Sequence, residues 1–278
     1  MQQQPAPLLV IEAGSHAGRY WHELWRFREL LVFLTWRDIL VRYKQTVIGV
    51  MWSVLRPLVT MLVFTFVFGR VAKLPTEGEA PYALMVFAAL LPWQLFANAV
   101  LESSNSLVAN ADMISKVYFP RMIMPISAIM TALVDFAIAL GLFVLLMLVM
   151  GVMPALKILL LPVFLMMALA AALGGGLMIA ALNVSFRDFR YVIPFFVQFG
   201  LYVSPVGFSS AAVPERWQLL YALNPMVGVI DGFRWCLLGK GVDFPMFESG
   251  LALGISVAML VAGVLVFRRM ERTFADKV

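Results

Sequence analysis

Two charged side chains stand inside long apolar runs of this sequence, and chemistry would start there. Asp135, in ALVDFAIAL, falls near the middle of one run. An ionisable group at bilayer mid-depth costs roughly 2.5–3.5 kcal/mol on insertion scales, so it must face protein or water. It is either a proton or substrate site, or a buried carboxylate accepting hydrogen bonds from a neighbouring helix. Arg56 precedes Pro57 about two turns into another run. The proline removes a backbone donor and is expected to kink that helix, making a natural hinge. Arg56 then either snorkels back to the inner headgroups or faces an aqueous path and meets an anionic substrate. Neither residue has a catalytic companion. The histidines, His16 and His22, both precede the apolar runs, so no nucleophile–base pair lies within them. No His, Cys and carboxylate cluster has metal-ligand spacing. The nearest approach to a phosphate-binding G-x-x-x-x-G-K-[ST] is LLGKG at 237–241, with Arg234 at the first glycine and Gly241 at the hydroxyl position. The chain is therefore not expected to bind ATP, any other cofactor or a metal itself, and an intramembrane hydrolase is not expected.

Aromatic residues form a second pattern. Phe64 and Phe68 share one helical face; Phe195, Phe199 and Tyr202 share another at i, i+4 and i+7, with Gln198 nearby. Rings of this kind present flat surfaces on which sugar C–H faces stack and slide, but they equally serve helix packing or lipid contact. Gly174–Gly175–Gly176 permits close helix approach. Trp217, Tyr221 and Trp235 read as an interfacial belt.

The elements that must carry these residues are membrane helices. The 278 residues are 62% hydrophobic and 13% charged, with a mean hydropathy of +0.90, against about 25% charged in soluble domains. The apolar runs are long and do not alternate, which excludes barrel strands. Six spans are expected, near 48–69, 82–101, 122–150, 158–183, 191–206 and 249–267. The fifth is short. Segment 207–247 is broken by proline and glycine and reads as a pair of short re-entrant or interfacial helices.

Of 21 Lys and Arg, 14 fall on the side of the termini and 6 opposite, with Arg56 in the first span. The positive-inside rule places both termini in the cytoplasm. The net charge of +5 is thus a topology signal, and scattered basic residues give no nucleic-acid surface. The N-terminus lacks the pattern of a cleaved signal peptide. Cys236 alone forms no intrachain disulfide. No internal repeat supports an inverted-repeat transporter. Residues 1–20 read as a disordered cytoplasmic N-terminus, 21–46 as interfacial amphipathic helices, 47–268 as the transmembrane domain and 269–278 as a cytoplasmic tail.

From Trp36 to Pro57 an amphipathic segment runs into the first span without a linker. Trp36, Ile39, Leu40, Tyr43 and Val47 recur at helical spacing, and Arg37, Asp38, Arg42, Lys44 and Gln45 fill the other side. The inner loop from Glu102 to Arg121 is long enough to protrude. Its centre reads as a short helix, N-capped near Asn110 or Asp112 and stopped at Pro120.

Five strings, in order over residues 24–270, resemble the membrane subunit of type-2 ABC exporters for polysaccharides, the O-antigen, capsule and teichoic-acid permeases. They are LLVFLTWRDILVRYKQTVIGVMWSVLRPL, LLPWQLFANAV, SNSLVANADMISKVYFPR, ALNVSFRDFRYVIPFFVQFGLYVSPVGF and LLYALNPMVGVIDGFRW. No major departure from the family pattern is evident. The resemblance implies an all-α homodimer of six-span subunits in a bacterial inner membrane, paired with two copies of a separate ATPase that holds ATP and Mg. It implies an N-terminal interfacial helix (Trp36, Arg37, Arg42, Tyr43, Lys44) and a coupling helix in residues 105–119 that docks in the ATPase through Asn110, Asp112, Ser115, Lys116 and Phe119. It implies a channel along spans one and five carrying Phe64, Phe68, Phe195, Phe199, Tyr202 and Arg56, and re-entrant outer gate helices before the last span. The expected function is export of a lipid-linked polysaccharide. Export of another lipid or a drug, or proton-coupled transport through Asp135, are the alternatives.

Overall fold

The computed structural model describes residues 17–44, 47–76, 78–153, 156–186, 188–239, 241–271 and 274, with backbone only at 17–19 and 47–50. The N-terminus as far as residue 16, Gln45, the side chain of Val47 and most of the tail lie outside the described residues. Among these residues no strand occurs. The order is α1 (Ala17–Arg26), α2 (Arg28–Lys44), α3 (Val47–Phe64), α4 (Tyr82–Ala109), α5 (Ala111–Lys116), α6 (Ile123–Val149), α7 (Leu161–Ser185), α8 (Phe189–Val203), α9 (Glu215–Ala222), α10 (Pro225–Leu238) and α11 (Met246–Glu271). Among the described residues five helical stretches are long and apolar enough to cross a membrane: Met51–Val71, Tyr82–Ala109, Ile123–Val149, Leu156–Ser185 and Met246–Glu271. At the position of the fifth expected span, α8 has 15 residues, about 22 Å of helix against a hydrocarbon core of about 30 Å.

Helix α4 is the axis of the molecule. It packs against α6, α7 and α10, and Leu84 to Leu91 are completely or almost completely buried. On the far side of α7, a Cβ on Gly174 would sit 2.4 Å from the Met259 carbonyl of α11, and one on Gly263 would sit 2.1 Å from the Gly174 carbonyl oxygen. Gly174 therefore serves backbone-to-backbone packing against α11, while Gly176 makes room for the Ser103 side chain of α4.

The inner ends differ from the sequence expectation. Residues 102–109 are not loop: α4 continues through ESSNSLVA to Ala109. The polar side chains that read as loop are satisfied within the helix. The hydroxyls of Ser103, Ser104 and Ser106 donate to the carbonyls of Val100, Leu101 and Ser103, and the Asn105 amide donates to the Leu101 carbonyl. Asn183 of α7 adds a bond to the Ser104 carbonyl. The protruding helix shrinks to α5, six residues long.

Helix α3 runs through Pro57 without a break. Its last turns, Thr65–Val71, wind wider, with the Ala72 N–H reaching the Val67 carbonyl. At the opposite end of the molecule from α5, α9 and α10 fill the broken segment. Asn224 caps α10 by accepting from the Met226 N–H, with Pro225 opening the helix.

Candidate functional site

Helix α2 is amphipathic in the opposite sense to a helix whose polar side meets water. Val32, Phe33, Trp36 and Val41 are exposed, whereas Leu34 is buried with Leu107, Phe119 and Met122. The polar side faces protein. Arg37 bonds Asp38 at 2.8 Å and the Asn110 side-chain oxygen at 3.1 Å. Arg42 meets Glu102 of α4 at 2.7 Å and Asp135 of α6 at 3.2 Å. Arg37 therefore meets the C-terminal cap of α4 and Arg42 a site about two turns back along it, so α2 runs alongside the end of α4. Tyr43 donates its hydroxyl to Asp135, and the Ser53 hydroxyl of α3 donates to the same oxygen at 3.2 Å.

Asp135 is therefore the centre of a joint that ties α2, α3 and α6 together. Burial, and then the bond to Asp135, push the Tyr43 phenol up to about 12, which keeps it a neutral donor. Burial acts against the Arg42 charge, but Glu102 and Asp135 outweigh it and raise its pKa. Lys44 is exposed at the end of α2.

Beside this joint a cleft of about 240 Å³ is lined by Trp52, Ser53, Arg56 and Pro57 of α3, Gln94 and Asn98 of α4, and Asp135 and Ala139 of α6, with Arg42 at one end. Arg56 is exposed and has no carboxylate partner among the described residues.

The aromatic residues separate into two groups. Phe64 is buried and Phe68 half-buried. Both press on the chain at Gly207, where a Cβ would lie 2.8 Å from Phe68 and 3.0 Å from Phe64. Phe64 also stacks on Tyr202 at 6.4 Å. Within this chain these two phenylalanines pack against the segment at Gly207 and against Tyr202. Phe195, Phe199 and Tyr202 are exposed on one face of α8, with Phe195 and Phe199 stacked at 6.4 Å. Tyr191 extends that stripe by one turn and Phe196 flanks it. The i, i+4 spacing of Tyr191 to Phe195 was visible in the sequence. The opposite side of α8 is fixed by Gly200, whose Cβ would lie 2.7 Å from Trp93.

In the inner loop, Asp112, Ser115 and Lys116 are exposed on α5, with the Ser115 hydroxyl donating to the Asp112 carbonyl. Phe119 is buried in the inner apolar cluster, so it holds the loop down and is not presented outward. Asn110 sits at the junction of α4 and α5, but its side chain does not cap α5. It donates to the Ser106 carbonyl and accepts from Arg37. Exposed Val117 and Tyr118 adjoin the α5 surface and were not expected there.

The end of the molecule opposite α5 is built around Arg234, which is fully buried. Its guanidinium donates to the carbonyls of Phe208 at 3.0 Å and Val206 at 3.2 Å, with Asp231 at 3.8 Å. Tyr82 donates to the Gly207 carbonyl between them. Of the expected aromatic belt, Trp217 is exposed, Tyr221 lies against Phe208, and Trp235 carries Lys157 over its ring at 4.9 Å.

Residues 29–238 match the model of the family described as ABC-2 type transporter. The chain is 27% identical over 249 residues to an O-antigen export system permease protein RfbA of Klebsiella pneumoniae, covering 89% of this chain and 94% of the relative. It is 28% identical over 259 residues to a protein of the same name from Myxococcus xanthus, covering 92% and 98%. A match that runs from α2 to the end of α10 covers most of the chain, and this protein belongs to the ABC-2 type transporter family.

Proposed function

We propose that this chain is the permease subunit of an ATP-driven exporter that moves a lipid-linked polysaccharide of the O-antigen kind across a bacterial inner membrane. The observation that carries this reading is the near end-to-end match to permeases named for O-antigen export. ATP and Mg belong to two copies of a separate ABC ATPase, and this chain has no enzymatic role. It pairs with a second copy of itself, crosses the membrane six times with α8 as the short fifth span, and keeps both termini in the cytoplasm. Helices α9 and α10 are re-entrant gate helices at the outer face.

In this reading α5 offers Asp112, Ser115 and Lys116 to the ATPase. Closure of the ATPase pair moves α5, and with it the α4 end that holds Arg37 and, through Glu102, Arg42. Helix α2 and the Asp135 joint pass that movement to α3. The exposed stripe of α8 offers aromatic faces over which sugar rings slide without fixed hydrogen bonds. Proton-coupled transport through Asp135 has no observation behind it, because both carboxylate oxygens are engaged by Arg42, Tyr43 and Ser53.

The test is removal of the gene and its return on a plasmid, with surface polysaccharide and intracellular lipid-linked polysaccharide measured together. The expected result is loss from the surface and accumulation inside, both reversed by the plasmid. Unchanged surface polysaccharide in the deletion strain would overturn the reading.

A further inference from the structure

The cleft between α3, α4 and α6 is not accounted for by the aromatic stripe or by α5. Two helices face each other across it with matched spacing. Trp52 and Arg56 lie one turn apart on α3, and Gln94 and Asn98 one turn apart on α4. Ala132 and Ala139, on either side of Asp135 along α6, leave room between them. Arg56, Gln94 and Asn98 have no side-chain partner among the described residues, although Gln94 and Asn98 lie well within a helix that spans the membrane. Amides held at that depth without protein partners call for a polar occupant, and the exposed Arg56 opens onto the same cleft.

The balance of charge indicates what kind. The cleft and its rim hold two cations, Arg42 and Arg56, and two carboxylates, Asp135 and Glu102. Arg42 is already committed to both acids. That balance does not favour an anion. It suits a neutral molecule rich in hydroxyls, which donate and accept as the two amides do, and the exposed Trp52 adds a flat face for stacking. We propose that this cleft is a subsite for one glycosyl residue, with Arg56, Gln94 and Asn98 bonding its hydroxyls and Trp52 covering its ring. The proposal rests on the polysaccharide reading for its cargo, but its site is separate from the aromatic stripe of α8.

The test uses the full chain in lipid nanodiscs and three photoreactive probes that share one alkyl tail. Their headgroups are a glucoside, a phosphate and a short ethylene glycol chain. The glucoside probe is expected to label peptides carrying residues 52–56 and 94–98, and the glycol probe is not. Asn98→Leu removes a hydrogen-bonding group without adding charge and is expected to cut glucoside labelling about five- to tenfold. Gln94→Leu is the second variant should Asn98→Leu fail to accumulate. Stronger labelling by the phosphate probe, lost in Arg56→Gln and kept in Asn98→Leu, would overturn the proposal in favour of an anion site. Equal labelling by all three probes, insensitive to Asn98→Leu and Gln94→Leu, would reduce the cleft to a hydrated joint. If the deletion strain still displays surface polysaccharide while glucoside labelling holds, the cargo reading fails and the subsite stands.

Discussion

Two arginines set the two ends of this molecule apart, the α5 end, proposed as the inner one, and the opposite end, proposed as the outer one. Arg42 is about one-third exposed, with 36% of its side chain accessible, and divides its guanidinium between two carboxylates on two other helices. Arg234 has no exposed surface, and its closest partners are the backbone carbonyls of Val206 and Phe208. The first holds helices distant in sequence by contacts that water can reach and screen. The second is sealed between α10 and the segment that begins just after α8. An ion pair at a hydrated junction costs little to break, whereas a buried charge fixes its surroundings. The inner end is built as a joint and the outer end as a clamp.

The largest expected effect tests the clamp. Arg234→Met leaves the Asp231 carboxylate and two carbonyls without their cation and is expected to cost about 3–5 kcal/mol. Folded protein in the membrane should fall to a small fraction of normal, read by abundance and by thermal unfolding of what remains. Adding Asp231→Leu to Arg234→Met should restore part of the loss, because the uncompensated charge goes with it. Normal abundance of the single variant would mean that the outer loop does not depend on Arg234.

The joint should yield a smaller stability change and a larger functional one. Asp135→Asn keeps an acceptor for Tyr43 and Ser53 but removes half of the charge that holds Arg42. With Arg42 partly exposed, screening limits the cost to about 1–2 kcal/mol. The protein should accumulate and bind its ATPase while export falls severalfold in a surface-polysaccharide assay. Loss of abundance in proportion to export would make the joint as rigid as the clamp and erase the contrast between them.

How much of this was readable beforehand depended on the range of the interactions. The long helices were legible because bilayer thickness imposes about twenty apolar residues on each, and α6 and α11 lie where their apolar runs do. The exposed face of α8 was legible because three rings repeat at helical spacing within one element. The inner end of α4 was not. Its serines and Asn105 satisfy themselves on the preceding turn, so a polar string there continues a helix. The joint was out of reach for a different reason. Asp135, Arg42 and Glu102 are far apart in the chain, and which one meets which depends on how α2 crosses α4. Phe119 shows the same limit, since its burial depends on α2 and α6 closing over it.

Lys116→Glu with Asp112→Lys reverses the exposed charge of α5 without touching the buried Ile114 beneath it. Surface charges of this kind shift stability by no more than about 0.5 kcal/mol, so the unfolding temperature should stay where it is. Co-purification of the ATPase should drop severalfold, and export with it. Preserved association and export would remove α5 from the docking surface and leave the joint with nothing to transmit.

Only a modest structural change is expected at the stripe. Phe195, Phe199 and Tyr202 are each more than half exposed, so replacing them together by Ala opens no enclosed cavity and the severe penalty for truncating a buried ring does not apply. Tyr202 does stack on Phe64, so a modest loss of stability, on the order of 1 kcal/mol, comes from that contact alone. The informative quantity is export per folded molecule. If the rings serve sliding sugar, export per molecule should fall severalfold in the triple variant, and Phe195→Leu with Phe199→Leu, which keep apolar bulk but lose the flat face, should fall nearly as far. If the rings serve only lipid or helix contact, the leucine pair should export normally, and the outer half of the molecule would be a clamp and nothing more.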